Sequence, residues 1–310
     1  MSLCLLWRFY NNKFKILYRI SKKSKFIFFR YNKYSWINFK NFNKWCDKRN
    51  FVNSIQNFRA RGASYIEYFK GNEEIEPIFA FFGLCNYIND EFRNTNNFWS
   101  SDIFSNFTEI ENFPRNRFPH IYETIKQFEE NYKSPFGNCF YYILLNLTKC
   151  PNCNSTLEAN IPENYGISSF LPLPGYDIDK VSNLINNYIS NQDSSKNIYQ
   201  CNSCYYNGPG KKEKGFINTP KFLLIDFNTP QDLKFLDETL DFTSYSFGKI
   251  GPKKYKIFAF IIKDKNDKYK PYILNDKNFW YTFTEDNVIE EEVLISLNHE
   301  TPHIAIYKGD

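Results

Sequence analysis

The chain has 310 residues, eight of them cysteine, and 20% of it is aromatic. That length buries a large core as one big domain or two modest ones, and eight cysteines spread over it exclude a small disulfide scaffold. The net charge of +5 is uneven: residues 1–50 hold nine Lys and four Arg against Asp47, a net +12, so the other 260 residues carry −7.

No apolar run reaches 18 residues, so no transmembrane helix is expected. The N-terminus lacks an uninterrupted apolar core with a small-residue cleavage site, so a secretory signal is not expected. Unpaired cysteine usage points to an intracellular, reducing compartment, cytoplasm or nucleus.

Residues 1–55 interleave basic and aromatic side chains: Trp7-Arg8-Phe9-Tyr10, Lys22-Lys23-Ser24-Lys25, Phe28-Phe29-Arg30. Three readings stand side by side. An acid-poor basic start suits mitochondrial or other organellar targeting. The same residues suit RNA, another nucleic acid or an anionic membrane surface. The plainest reading is a poorly ordered extension.

Residues 56–135 read as mostly helical, with Ala63–Phe69 and Pro77–Tyr87 carrying apolar residues at helical spacing. Pro119–Tyr132 places Ile121, Ile125 and Phe128 on one face and Glu123, Lys126, Glu129 and Glu130 around the other. Asn94–Asn97 and Pro114–Asn116 read as loops. From residue 136 the pattern turns to strands: Phe140–Leu147, Ser168–Leu173, Lys221–Phe227, Tyr255–Ile262, Tyr269–Leu274, Phe279–Phe283 and His303–Tyr307. Val181–Ile189 reads as a short amphipathic helix, and Gly208-Pro209-Gly210 with Lys211-Lys212 as a tight solvated turn.

Two Cys-x-x-Cys pairs, Cys150/Cys153 and Cys201/Cys204, lie 47 residues apart. Each has the bite of a zinc knuckle, and four thiolates fill a closed, structural tetrahedral site. A compact ribbon spaces its pairs by about 15–20 residues. The longer gap requires the intervening strand, turn and helix to form a protruding unit whose ends meet at one zinc ion. The competing reading is two idle pairs arising by chance.

Several segments occur in an order that resembles the ubiquitin-specific proteases, the papain-like cysteine deubiquitinases. They are Ser134-Pro135-Phe136-Gly137, the two cysteine pairs, Phe170-Leu171-Pro172-Leu173, Pro220–Phe227, Leu240–Tyr245, Tyr255–Ile262 and Trp280-Tyr281-Thr282-Phe283. The resemblance runs from about Pro135 to the C-terminus. It implies an α+β, papain-like fold with a helical thumb lobe at 56–135 and a β-rich palm at 136–310. Zinc-tied β fingers span 150–204, all within a 56–310 domain.

A cysteine protease needs a thiolate, a base within reach and a group that orients the base. The family's base stands in a Gly-His-Tyr box after the long strand. Here that stretch reads Asp267-Lys268-Tyr269, and the histidine position falls on Lys268. A lysine of ordinary pKa near 10.4 has no free lone pair at neutral pH. The orienting Asp or Asn position falls on Thr284. The nearest match to the nucleophile turn is Gly83-Leu84-Cys85-Asn86-Tyr87, which lacks the Gly-Asn that helps form an oxyanion hole.

Cys85 is thus a vestigial nucleophile or a small buried apolar residue on a helix face. His120 is a displaced base or a surface or cap histidine. The resemblance then implies a catalytically impaired, ubiquitin-specific-protease-like pseudoenzyme that binds ubiquitin, a ubiquitin-like protein or a protein complex. The alternatives are an active deubiquitinase using Cys85, and an organellar or RNA-associated assembly protein using the basic arm.

Overall fold

The computed structural model describes residues 76–81, 83, 115–131, 139–173, 180–190, 197–227, 236–263, 268–274, 278–283, 288–291 and 301–310. Residues 77–81 are helical. Helix α1 (Pro119–Asn131) follows a 3-10 turn at Arg115–Arg117, where the sequence suggested only a loop. Then come β1 (Tyr142–Lys149), β2 (Thr156–Asn160), the two-residue β3 (Ile167–Ser168) and β4 (Leu171–Leu173). Helix α2 (Val181–Ser190) precedes β5 (Ile198–Gln200), β6 (Asn207–Pro209), β7 (Lys211–Asn218) and β8 (Phe222–Phe227). The remaining elements are β9 (Thr239–Asp241), a 3-10 turn at Thr243–Tyr245, β10 (Ser246–Ile250), β11 (Lys254–Lys263), β12 (Tyr269–Leu274), β13 (Trp280–Phe283), β14 (Val288–Glu291) and β15 (Thr301–Gly309).

Three sheets result. A five-stranded sheet runs β10-β7-β1-β2, with β3 also on β1. An eight-stranded sheet runs β14-β13-β12-β11-β15-β8-β4, with β9 also on β11. The hairpin β5-β6 stands as its own ribbon.

Strand β1 is the hinge of the architecture because both its faces are buried. Tyr142 and Leu144 enter one core with Phe216 of β7, the apolar face of α2 and the inner residues of the larger sheet. Ile143, Leu145 and Leu147 enter a second core with Phe118, Ile121 and Ile125 of the α1 segment, Ala159 of β2 and Ile217 of β7. Side chains alternate faces along a strand, so one apolar run serves both cores. The amphipathic pattern of α1 follows from this: Ile121 and Ile125 are fully buried while Glu123, Lys126 and Glu130 are exposed.

Two expectations are revised. The span Ser168–Leu173 is two strands in different sheets rather than one. The Ser168 hydroxyl donates to the Phe170 carbonyl (2.9 Å) and accepts from the Phe170 amide (3.2 Å), which diverts the backbone between them. The Gly208–Lys212 segment is likewise not a simple turn. Asn207–Pro209 pairs with Ile198–Gln200, and Lys211 opens β7 against Lys149. Pro209 is tolerated because its ribbon has only two strands. Gly210 passes so close to β1 that a Cβ there would collide with the Thr148 methyl.

An aromatic series covers the other face of the larger sheet. Phe81 meets Phe140 at 5.2 Å, Phe140 meets Phe222 at 5.7 Å, and Phe222 meets Phe258 at 5.9 Å between ring centroids. It seats the helical residues 77–81 against β8 and β11, with Glu76 at their start.

Candidate functional site

The cysteine pairs sit at the far ends of the smaller sheet and the β5-β6 ribbon. Cys150 follows β1 directly, and Cys201 follows β5. The two knuckles are built alike. The Asn154 amide donates to the Cys150 carbonyl (2.9 Å), as the Tyr205 amide does to that of Cys201 (2.8 Å). The Cys150 amide donates to the Ser155 carbonyl (2.9 Å), as the Cys201 amide does to that of Tyr206 (2.8 Å). Each turn closes through a residue in the left-handed region, Asn154 at φ 59° and Tyr205 at φ 59°. Asparagine tolerates that conformation, whereas tyrosine adopts it only where the surrounding turn compels it.

The four sulfurs lie within 4.8 Å of one another, the one such group among the described residues. Cys150 Sγ is 3.5 Å from Cys204 Sγ, and Cys153 Sγ is 3.5 Å from Cys201 Sγ. A tetrahedral zinc–thiolate set, with Zn–S near 2.3 Å, spaces its sulfurs at about 3.8 Å. The donor set and its spacing therefore fit one zinc ion, held by Cys150, Cys153, Cys201 and Cys204. Four thiolate ligands leave no position open for substrate, so such a site is structural.

Three of these thiols are shifted in different directions by their surroundings. The Ser155 hydroxyl holds Cys201 down at about 5 and lowers Cys153 as well. At Cys204 the Tyr206 amide pulls down, but burial and the three neighbouring sulfurs outweigh it and push the thiol up to about 12.

A second group of polar residues lies on strands β8, β12 and β15 of the larger sheet and just before β12. Lys268, at the histidine position implied by the family resemblance, is exposed immediately before β12. The burial that a lysine needs in order to serve as a base is missing. Beside it, the Tyr269 ring meets the His303 ring edge-on at 5.3 Å. Ile261 pairs with Ile304 and Ile262 with Pro302, so His303 is the extra residue of a β-bulge in β15. Burial lowers the pKa of His303, Lys263 lowers it further, and Glu76 opposes both. Asp226, the β8 partner of Ile304, is pushed up to about 6 by burial and then by Glu76.

The remaining site positions fall elsewhere. His120 packs on the smaller sheet, where its Nε2 donates to the Ala159 carbonyl at 3.2 Å, and it is not brought to Lys268. Cys85 and Thr284 lie outside the described residues, as do residues 1–55 and His299.

Sequence reasoning did not single out Ser155, Asp226 or His303. The signals were faint. Ser155 is a serine two residues beyond a knuckle. Asp226 is one acid in the apolar run Phe222–Phe227. His303 lies in a strand whose bulge only the pairing with β11 reveals.

No protein-family model matches the chain, and no curated protein matches it. Solved structures do. A chain of a SAGA Ubp8/Sgf11/Sus1/Sgf73 deubiquitinase module with a Ubp8 substitution aligns with a TM-score of 0.51. The alignment has 14% identity and covers 77% of this chain and 49% of that one. A yeast SAGA module with an Sgf73 substitution gives 0.47, 15%, 75% and 50%, and a SAGA Ubp8 module bound to monoubiquitin gives 0.46, 16%, 64% and 48%. This chain spans about half the length of the structures it matches. At such identity the likeness concerns the fold: a mixed, sheet-rich fold of the ubiquitin-specific-protease type, similar to that of Ubp8.

Proposed function

We propose that this chain acts by binding, as a catalytically impaired protein of the ubiquitin-specific-protease type. Its ligand is ubiquitin, a ubiquitin-like protein or a protein complex. The observation that carries the reading is Lys268, exposed where the resemblance calls for the histidine base. The fold likeness to a deubiquitinase module that contains Sgf11, Sus1 and Sgf73 supports the ubiquitin-related and partner-binding parts. On this reading residues 56–135 form the helical lobe, 136–310 the β-rich lobe, and 150–204 the fingers, with zinc on Cys150, Cys153, Cys201 and Cys204.

The test pairs binding with chemistry on the full chain. Titration with ubiquitin, followed by NMR or calorimetry, is expected to saturate. A ubiquitin probe with an electrophilic C-terminus is expected to form no adduct. An adduct abolished by Cys85→Ser would refute the non-catalytic reading. No binding at millimolar ubiquitin would remove ubiquitin as the ligand.

One observation favours a second reading, that of a cysteine hydrolase with Cys85 as nucleophile. His303, at its bulge, supplies an imidazole against the ring of Tyr269, the residue that follows Lys268. On that reading the probe adduct forms, and it is lost in His303→Ala as well as in Cys85→Ser.

A further inference from the structure

The two knuckles are equivalent in backbone but not in side chain. Ser155 and Tyr206 hold matching positions, since each accepts the amide of the first cysteine of its turn. Tyr206 turns its hydroxyl away to the Pro209 carbonyl (3.2 Å). Ser155 turns its hydroxyl inward. Its Oγ lies 3.1 Å from Cys153 Sγ and 3.1 Å from Cys201 Sγ, one sulfur from each knuckle.

We propose that Ser155 is a positioning residue of the four-cysteine centre, its hydroxyl donating to the thiolates of Cys153 and Cys201 and so locking the second knuckle onto the first. The inference rests on the zinc reading above. A metal-bound thiolate has lost its proton and can only accept, so the serine O–H must donate to it. The hydroxyl has one hydrogen, so it serves one sulfur at a time and rotates between the two. Four thiolates around a divalent ion leave the centre with two excess negative charges. An O–H dipole turned to one or the other of these two thiolates stabilises that excess where solvent is partly shut out. The contact also bridges segments 46 residues apart in the chain, beside the hydrogen bond from the Tyr199 hydroxyl to Glu158.

The test uses the full chain loaded with cobalt(II) and then with zinc. Ser155→Ala is expected to shift the sulfur-to-cobalt charge-transfer bands to lower energy, because a thiolate without its hydrogen bond gives up electrons more readily. Zinc affinity, measured by competition with a chromophoric chelator, is expected to fall by about 10–100-fold. Ser155→Thr, which keeps a hydroxyl, is expected to restore both. Unchanged bands in Ser155→Ala would overturn the role of Ser155 even if affinity fell, since a packing defect alone leaves the sulfur electronics in place. Failure of the unmodified chain to take up cobalt or zinc would overturn the metal centre itself, and Ser155 with it.

Discussion

The sulfurs of Cys153 and Cys201 lie 3.5 Å apart although 48 residues separate them along the chain. Between them the described chain adds β2 and β3 to the smaller sheet, gives β4 to the larger sheet, packs α2 into the first core and returns to the knuckle through β5. Closing so long a loop costs several kcal/mol of chain entropy, on the order of 4 kcal/mol for ~50 residues. A zinc ion bound by the four cysteines would offset that cost.

Cys201→Ser is expected to lower the zinc content of the purified chain well below about one ion per molecule. It is also expected to lower the thermal midpoint. Elemental analysis and calorimetry check both. A variant that retains stoichiometric zinc and the parental midpoint would exclude a four-cysteine centre.

Helix α1 is held to β1, β2 and β7 through Ile121 and Ile125. Ile125→Ala is expected to destabilise the protein by about 2–5 kcal/mol, through lost burial and an unfilled cavity. The exposed Glu123→Ala change on the same helix is expected to stay within about 0.5 kcal/mol. Urea unfolding of the two variants measures the difference.

Asp226 carries a pH dependence of definite sign. Its folded pKa, about 6, stands above the ordinary carboxyl value. The folded state therefore binds more protons than the unfolded one in between, and stability falls as pH rises through that window. Asp226→Asn is expected to stabilise the chain by about 1–3 kcal/mol at pH 7.5, and the gain is expected to vanish near pH 4. Denaturation midpoints at the two pH values decide the matter, and a gain that is equal at both would be incompatible with a half-buried carboxyl of raised pKa.

Tyr205 is 82% exposed and holds a left-handed backbone. Its side chain contributes little burial, and its Cβ is strained. Tyr205→Gly is expected to leave zinc affinity intact or raise it slightly, whereas Tyr205→Val is expected to weaken it, because β-branched residues resist that conformation. Chelator competition on the two variants gives the ordering.

Sequence reasoning located α1, α2, β1, β8, β11, β12, β13 and β15 within a residue or two, because their apolar periodicity reflects which face is buried, and did not foresee β2, β5, β6, β7, β9, β10 or β14. The cysteine centre was equally accessible, since residue type and spacing carry its chemistry directly. The strand at Ser168–Leu173 misled because a serine hydroxyl, not hydrophobicity, decides where it breaks. The glycines of Gly208–Lys212 suggested a turn, but Gly210 is there for a close approach to Thr148, which belongs to a distant part of the chain. His303 and Asp226 were hidden for a similar reason: a bulge and a cross-strand pairing are relations between strands, and neither leaves a mark on one strand alone.

Strand β1 ends at the metal knuckle and contributes to both cores. On the zinc reading, its eight residues join metal uptake to the packing of two hydrophobic layers as a single cooperative unit. Chelation is then expected to be felt well beyond the knuckles: amide hydrogens of Ile143 and Leu145 are expected to exchange faster once zinc is removed, because opening the knuckle releases the end of the strand on which both layers are built.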